Sequence, residues 1–118
     1  MKRANPLKLN TLQLKTLVIL QELARHKETS RPAPETASAG EGAVIISQFP
    51  HAHGNHFHVG DYVVAGADAN GLRLEPVWVV LQRKGLAKSY FPQAIVLTKD
   101  GIEYETGIKD QVLHSAGH

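Results

Sequence analysis

The 118-residue chain contains no cysteine. That excludes disulfide frameworks, thiolate zinc sites and cysteine nucleophiles, and it suits a reducing compartment. Long apolar runs are missing as well. The longest strongly apolar stretch is Val77 to Leu81, far short of the roughly 20 residues a membrane-spanning helix needs, so no membrane partner is expected. The start, MKRANPLKLNTLQLKTLVIL, is basic but broken by lysine, glutamine and threonine. It lacks the unbroken apolar region and small-residue cleavage site of a secretory signal, and a cytoplasmic protein is the expectation. Catalytic spacings are also missing. There is no H-E-x-x-H, no nucleophile elbow around Ser30, Ser38, Ser47, Ser89 or Ser115, and no glycine-rich phosphate loop, since Gly40-Glu41-Gly42 reads as linker. The chain is expected to be non-enzymatic.

What is present is ordinary in bulk. Apolar residues make up 42% and charged residues 20%, a balance that suits one folded domain over 1–118. The net charge of +2 hides an asymmetry. Residues 1–27 carry Lys2, Arg3, Lys8, Lys15, Arg25 and Lys27 against Glu22 alone, a balance of +5, so the remainder sums to −3. Residues 1–8 read as a basic arm, compatible with nucleic acid and equally with a solvated start.

Asn10 is a good helix N-cap with Gln13 as its capping-box partner. From Thr11 to about His26, Leu14, Leu17, Leu20, Leu23 and Ala24 recur at spacings of three and four. Leu12, Val18 and Ile19 widen the stripe, which predicts a helix buried on more than one side. Residues 29–42, rich in Pro, Ala, Gly, Ser and Glu, read as a flexible loop. AVIISQF (43–49) is a strand. Asp61 to about Ala69 reads as a short helix stopped near Asn70-Gly71. A second, longer helix runs from Leu74 or Glu75 to about Ala87, with Pro76 in its first turn. Gln93 to Thr106 reads as two strands turned at Lys99-Asp100-Gly101, and 107–118 as a frayed tail.

The densest chemical signal is PHAHGNHFHVGD, residues 50–61, which holds His51, His53, His56 and His58 out of seven histidines in the chain. Gly54-Asn55 between two extendable segments predicts a two-residue hairpin of type II′. Counting outward then sets His53 opposite His56, Ala52 opposite Phe57, and His51 opposite His58. Opposed residues project to one face, so all four imidazoles share a side. Such nitrogen ligands would suit a transition metal, Zn or Ni, with Asp61 as a candidate carboxylate. A pH-responsive patch and a plain polar hairpin face stand beside that reading.

The string VWVVLQRKGLAKSYFPQAIVLTKDGIEYET resembles the latter half of a winged helix-turn-helix domain of the MarR-like kind. It carries the L-x-R-K-G-L ending at Leu81, Arg83, Lys84, Gly85 and Leu86, then Val96-Leu97-Thr98 with Gly101. LNTLQLKTLVILQELA is similar to the first helix of such domains, so the likeness covers about residues 9–28 and 59–106. It implies an α+β winged helix, three helices plus a β-wing, here with an additional hairpin inserted after the first helix. It also implies DNA as partner, with Arg73, Gln82, Arg83, Lys84, Lys88 and Lys99 as phosphate-contacting candidates. In this chain the recognition-helix position is filled by Val77, Trp78, Val79 and Val80, which base readout does not use. That block covers nearly every side of one turn, so Trp78 and Val79 are candidates for a protein interface, including a homodimer, with a place in the core as the other reading of Trp78.

Overall fold

The computed structural model describes residues 3–115. Helix α1 spans Thr11–Leu23 and begins as its capping box requires: the Gln13 N–H donates to Asn10 Oδ1 (2.8 Å) and the Asn10 N–H to Gln13 Oε1 (2.9 Å). It ends at Leu23, three residues before the expected limit, because Thr29 and Ser30 hydroxyls take the carbonyls of Leu23 and Ala24. Leu17, Val18, Ile19 and Leu20 are all buried, so α1 is the central helix of the core.

Two four-stranded antiparallel sheets flank it. The first contains β1 (Ser30–Pro32), β2 (Val44–Ile46), β6 (Ala87–Tyr90) and β7 (Ala94–Leu97), in the order β1-β2-β7-β6. The second contains β3 (Ala52–His53), β4 (His56–Val59), β5 (Tyr62–Ala65) and β8 (His114–Ser115), in chain order. Between β5 and β6 in sequence lie a 3₁₀ segment, Gly66–Arg73, and helix α2, Glu75–Arg83. Short helices α3 (Lys99–Glu103) and α4 (Lys109–Val112) follow the first sheet. The architecture is therefore mixed α+β.

The R-K-G-L ending is a Schellman motif. The Leu86 N–H donates to the Leu81 carbonyl and the Gly85 N–H to the Gln82 carbonyl, each at 3.0 Å, with Gly85 at φ +78°. Leu81 and Leu86 are both buried, which is the apolar contact that accompanies this stop.

Several expectations are corrected. Residues 62–65 form a strand, not a helix, because Tyr62, Val63, Val64 and Ala65 pair along all of β4 and Tyr62 and Val63 also pair with β8. Asp100-Gly101 does not turn a wing. Thr98 caps α3, accepting from the Gly101 N–H (3.1 Å) and donating to the Gly85 carbonyl (2.9 Å), while the β6–β7 turn lies at residues 91–93. Residues 29–42 carry β1 and a 3₁₀ turn, Glu35–Ala37. Their alanines cover the outer face of the first sheet, where Ala37, Ala43 and Val96 form a second small core.

Both ends are fastened too. Asn5 holds the Leu9 backbone in two hydrogen bonds, and the Tyr104 hydroxyl donates to Asn5 Oδ1 (2.7 Å). Residues 5–8 are thus pinned rather than a free arm; Lys2 lies outside the described residues. In place of a frayed tail, α4 and β8 bury Val112 and Leu113; residues 116–118 are also outside the described set.

Candidate functional site

The histidine hairpin forms with the expected register over its first two pairs, His53 with His56 and Ala52 with Phe57. Gly54 sits at φ +67° and Asn55 does not take a positive φ, which is the sign pattern of a type II′ turn. A second glycine, Gly60 at φ +58°, turns β4 into β5, so the hairpin is the first part of a three-stranded meander. Alternation along β4 sends His56 and His58 to the open face, and Phe57 and Val59 inward. The three rings gather closely: centroids are 5.1 Å apart for His56–His58, 5.3 Å for His53–His58 and 6.4 Å for His53–His56.

His51 leaves this group. The ladder stops at Ala52, and His51 lines a cleft of about 390 Å³ with Phe49, Phe57, Leu72, Arg73 and Phe91. The proposed fourth place on the open face goes to a different residue. The register His58–Val63–His114 sets His114 on the same side, two strands away. No local signal identifies it, because it requires the tail to pair with β5. Asp61 lies in the β4–β5 turn. Among the described residues, no group of three or more His, Asp or Glu side chains stands in a geometry that would hold a metal ion.

The turn between β3 and β4 is clamped to the rest of the chain. The Gly66 N–H donates to the Asn55 carbonyl at 2.7 Å, which ties the hairpin to the segment leading into α2. A second unforeseen feature lies at the other end of β4. Glu22, 4% exposed, accepts from or shares a proton with His26 (Oε2–Nε2 2.7 Å). A side chain at Gly60 would run into the His26 ring. This dyad, Glu22 on the last turn of α1 and His26 just beyond its end, seats the meander against the central helix.

The candidate nucleic-acid residues separate into groups. Arg83, Lys84 and Lys99 are exposed around the C-terminal end of α2, and none forms an ion pair among the described residues. Arg73 lies at the opposite end of α2, beside the aromatic cleft. Gln82 is partly engaged, its Oε1 accepting the Ser89 N–H (2.8 Å). Lys88 is a correction: its Nζ donates to the Ala37 carbonyl (2.6 Å), holding residues 33–43 onto the sheet. Trp78 takes the core side of its two readings and is withdrawn from the interface set. It is 1% exposed, donates Nε1–H to the Gly71 carbonyl (3.2 Å), and packs between Phe49 and Phe91. It is core rather than interface. Val79 faces outward at 39% exposure, and Leu74, at the start of α2, is 42% exposed.

Comparison with protein-family models, curated proteins and solved structures finds no match.

Proposed function

We propose that the chain is a non-catalytic winged-helix domain that binds nucleic acid mainly through backbone phosphates. The observation that supports it is the order of its parts. Helix α1, strand β2, the 3₁₀ segment 66–73, helix α2 and strands β6 and β7 follow one another, with β7 between β2 and β6. In this reading α2 occupies the recognition position, β6–β7 is the wing, and the histidine sheet is an insertion between β2 and residue 66. Arg83, Lys84 and Lys99, exposed and without ion-pair partners among the described residues, are the phosphate contacts. Glu75 and Val79 take the positions on the outward face of α2 where base-reading donors would stand, so the binding is independent of sequence.

The test is fluorescence anisotropy of labelled duplex DNA across a salt series. Three phosphate contacts give a slope of log K against log salt of about −2.7, equal for shuffled sequences. The triple variant Arg83→Ala/Lys84→Ala/Lys99→Ala flattens that slope. Absence of binding at the lowest salt, or an unchanged slope in the variant, defeats the reading.

A second reading, a protein-interaction module, is favoured by one feature. Pro76, Val79 and the half-buried Val80 make a small apolar strip along α2, and a second copy of the chain would cover it.

A further inference from the structure

We propose that the cleft between β4 and the β6–β7 turn captures one unpaired base of a nucleic-acid strand, stacked on phenylalanine, with Arg73 on the adjoining phosphate. The occupant is then a duplex with a single-stranded end, which rests on the nucleic-acid reading of α2.

The walls are built from a repeated dipeptide. Two of the three phenylalanines in the chain are followed by proline, Phe49-Pro50 and Phe91-Pro92. Both pairs line the cleft, whose volume is about 390 Å³. Proline has a fixed φ and no N–H to offer, so each pair makes a stiff apolar rim. Trp78 holds the two rings from behind, 5.7 Å from Phe49 at 37° and 4.9 Å from Phe91 at 84°. The third ring, Phe57, arrives from β4 by strand alternation. Its cross-strand partner is Ala52, whose methyl covers little of it. All three rings are half-buried, so each keeps some surface for a ligand. The volume falls in the range of about 300–1,000 Å³ found for small-ligand sites, which suits one nucleoside and not a whole strand.

Charge names the rest of the occupant. The lining has Arg73 and His51 as its polar side chains and holds no carboxylate. Arg73 is exposed and forms no ion pair among the described residues. Its guanidinium is always charged and matches a phosphate in two-pronged fashion. Aromatic walls stack any base, because every base has a π face, and a cation at the rim selects the phosphate attached to it. Position supports the same occupant. Arg73 precedes α2, whereas Arg83 and Lys84 close it. Nine helical residues span about 13 Å, roughly four steps of a strand at about 3.4 Å each. A duplex seated on Arg83, Lys84 and Lys99 can therefore pass an overhanging strand to the cleft.

Anisotropy titrations of the whole chain with three labelled probes test this: a blunt duplex, the same duplex with an overhang of about six thymidines in either polarity, long enough to span α2 at about 3.4 Å per step, and that overhang with abasic sites in place of its bases. The intact overhang is expected to bind about tenfold more tightly than the blunt duplex, since one stacked base contributes a factor of roughly 5 to 150. The abasic overhang loses that gain. Phe57→Leu, which keeps apolar bulk but no ring, loses it too and leaves blunt-duplex binding unchanged, while Arg73→Gln reduces it. Because the abasic probe needs no protein variant, a folding defect in Phe57→Leu cannot mask the result. Equal binding of all three probes overturns the proposal and leaves the nucleic-acid reading standing. A gain that survives on the abasic overhang comes from phosphates alone and also overturns it. Binding of none of the probes overturns both.

Discussion

A side chain at Gly101 would collide with the carbonyl of Leu86. That carbonyl also accepts the Thr98 N–H (3.1 Å), and the Thr98 hydroxyl reaches Gly85. Thr98 and Gly101 therefore latch the start of α3 onto the Schellman stop of α2. This gives a physical reason for G-L and L-T-x-x-G to occur together, which resemblance to a family does not provide. Gly101→Ala is expected to lower stability by about 2 kcal/mol or more, since backbone rather than a flexible side chain blocks the methyl. A thermal melt should then fall by about 10 °C for a chain of this size, and a melt within a degree of wild type would contradict the latch. Residue-scale reading of the sequence took Gly85 and Leu86 as part of the helix ending, because their partners lie within five positions, but carried the helix to about Ala87, whereas it stops at Arg83 and Ala87 opens β6. It assigned Gly101 to a turn because the Leu86 carbonyl is remote in sequence and leaves no local trace.

At the scale of elements, α2 shows what periodicity can and cannot state. The block Val77-Trp78-Val79-Val80 had to expose something, and the structure exposes Val79 while burying Val77 and Trp78. Glu75, Val79 and Arg83 recur every four residues on the outward face. If that face docks a second copy of the chain, sedimentation at rising concentration will show a dimer, and Val79→Asp will remove it without lowering the melting temperature. A monomer at all concentrations would sink the dimer reading. The same substitution leaves the salt slope of DNA binding in place, so the two readings are separable. The histidine hairpin was legible for a similar reason: a two-residue Gly-Asn turn sets its own register. The strand after it was not, because Tyr62-Val63-Val64-Ala65 is short enough to suit helix or strand until β4 and β8 are placed beside it.

Across the whole molecule, the parts read as peripheral are structural. The segment after Thr106 delivers Val112, fully buried, and Leu113, 6% exposed, to the core beneath α1 and adds β8 to the histidine sheet. A chain ending at Thr106 is expected to lose about 3–6 kcal/mol from those two side chains alone. Urea unfolding should show a matching fall in midpoint, whereas an unchanged midpoint would mean that the tail does not pack. Residues 33–43 are likewise bound to the first sheet through Lys88 and Ala37, and residues 5–9 to Tyr104. The hairpin, through Asn55 and Gly66, is joined to the approach to α2.

By itself the sequence determined the features made within about six residues: the capping box at Asn10, the Schellman stop at Gly85, and the II′ turn that pairs His53 with His56. These depend on local dihedral preference and on donors and acceptors a turn apart, so composition and spacing are enough. Tertiary structure alone decided the rest: the strand at 62–65, the burial of Trp78, the departure of His51 and arrival of His114 on or off one face, and the diversion of Lys88. Each depends on a partner far along the chain, 51 residues away for Lys88 and Ala37, 99 for Tyr104 and Asn5. Which distant segments meet is chosen by the collective burial of the core, and no local pattern carries that choice.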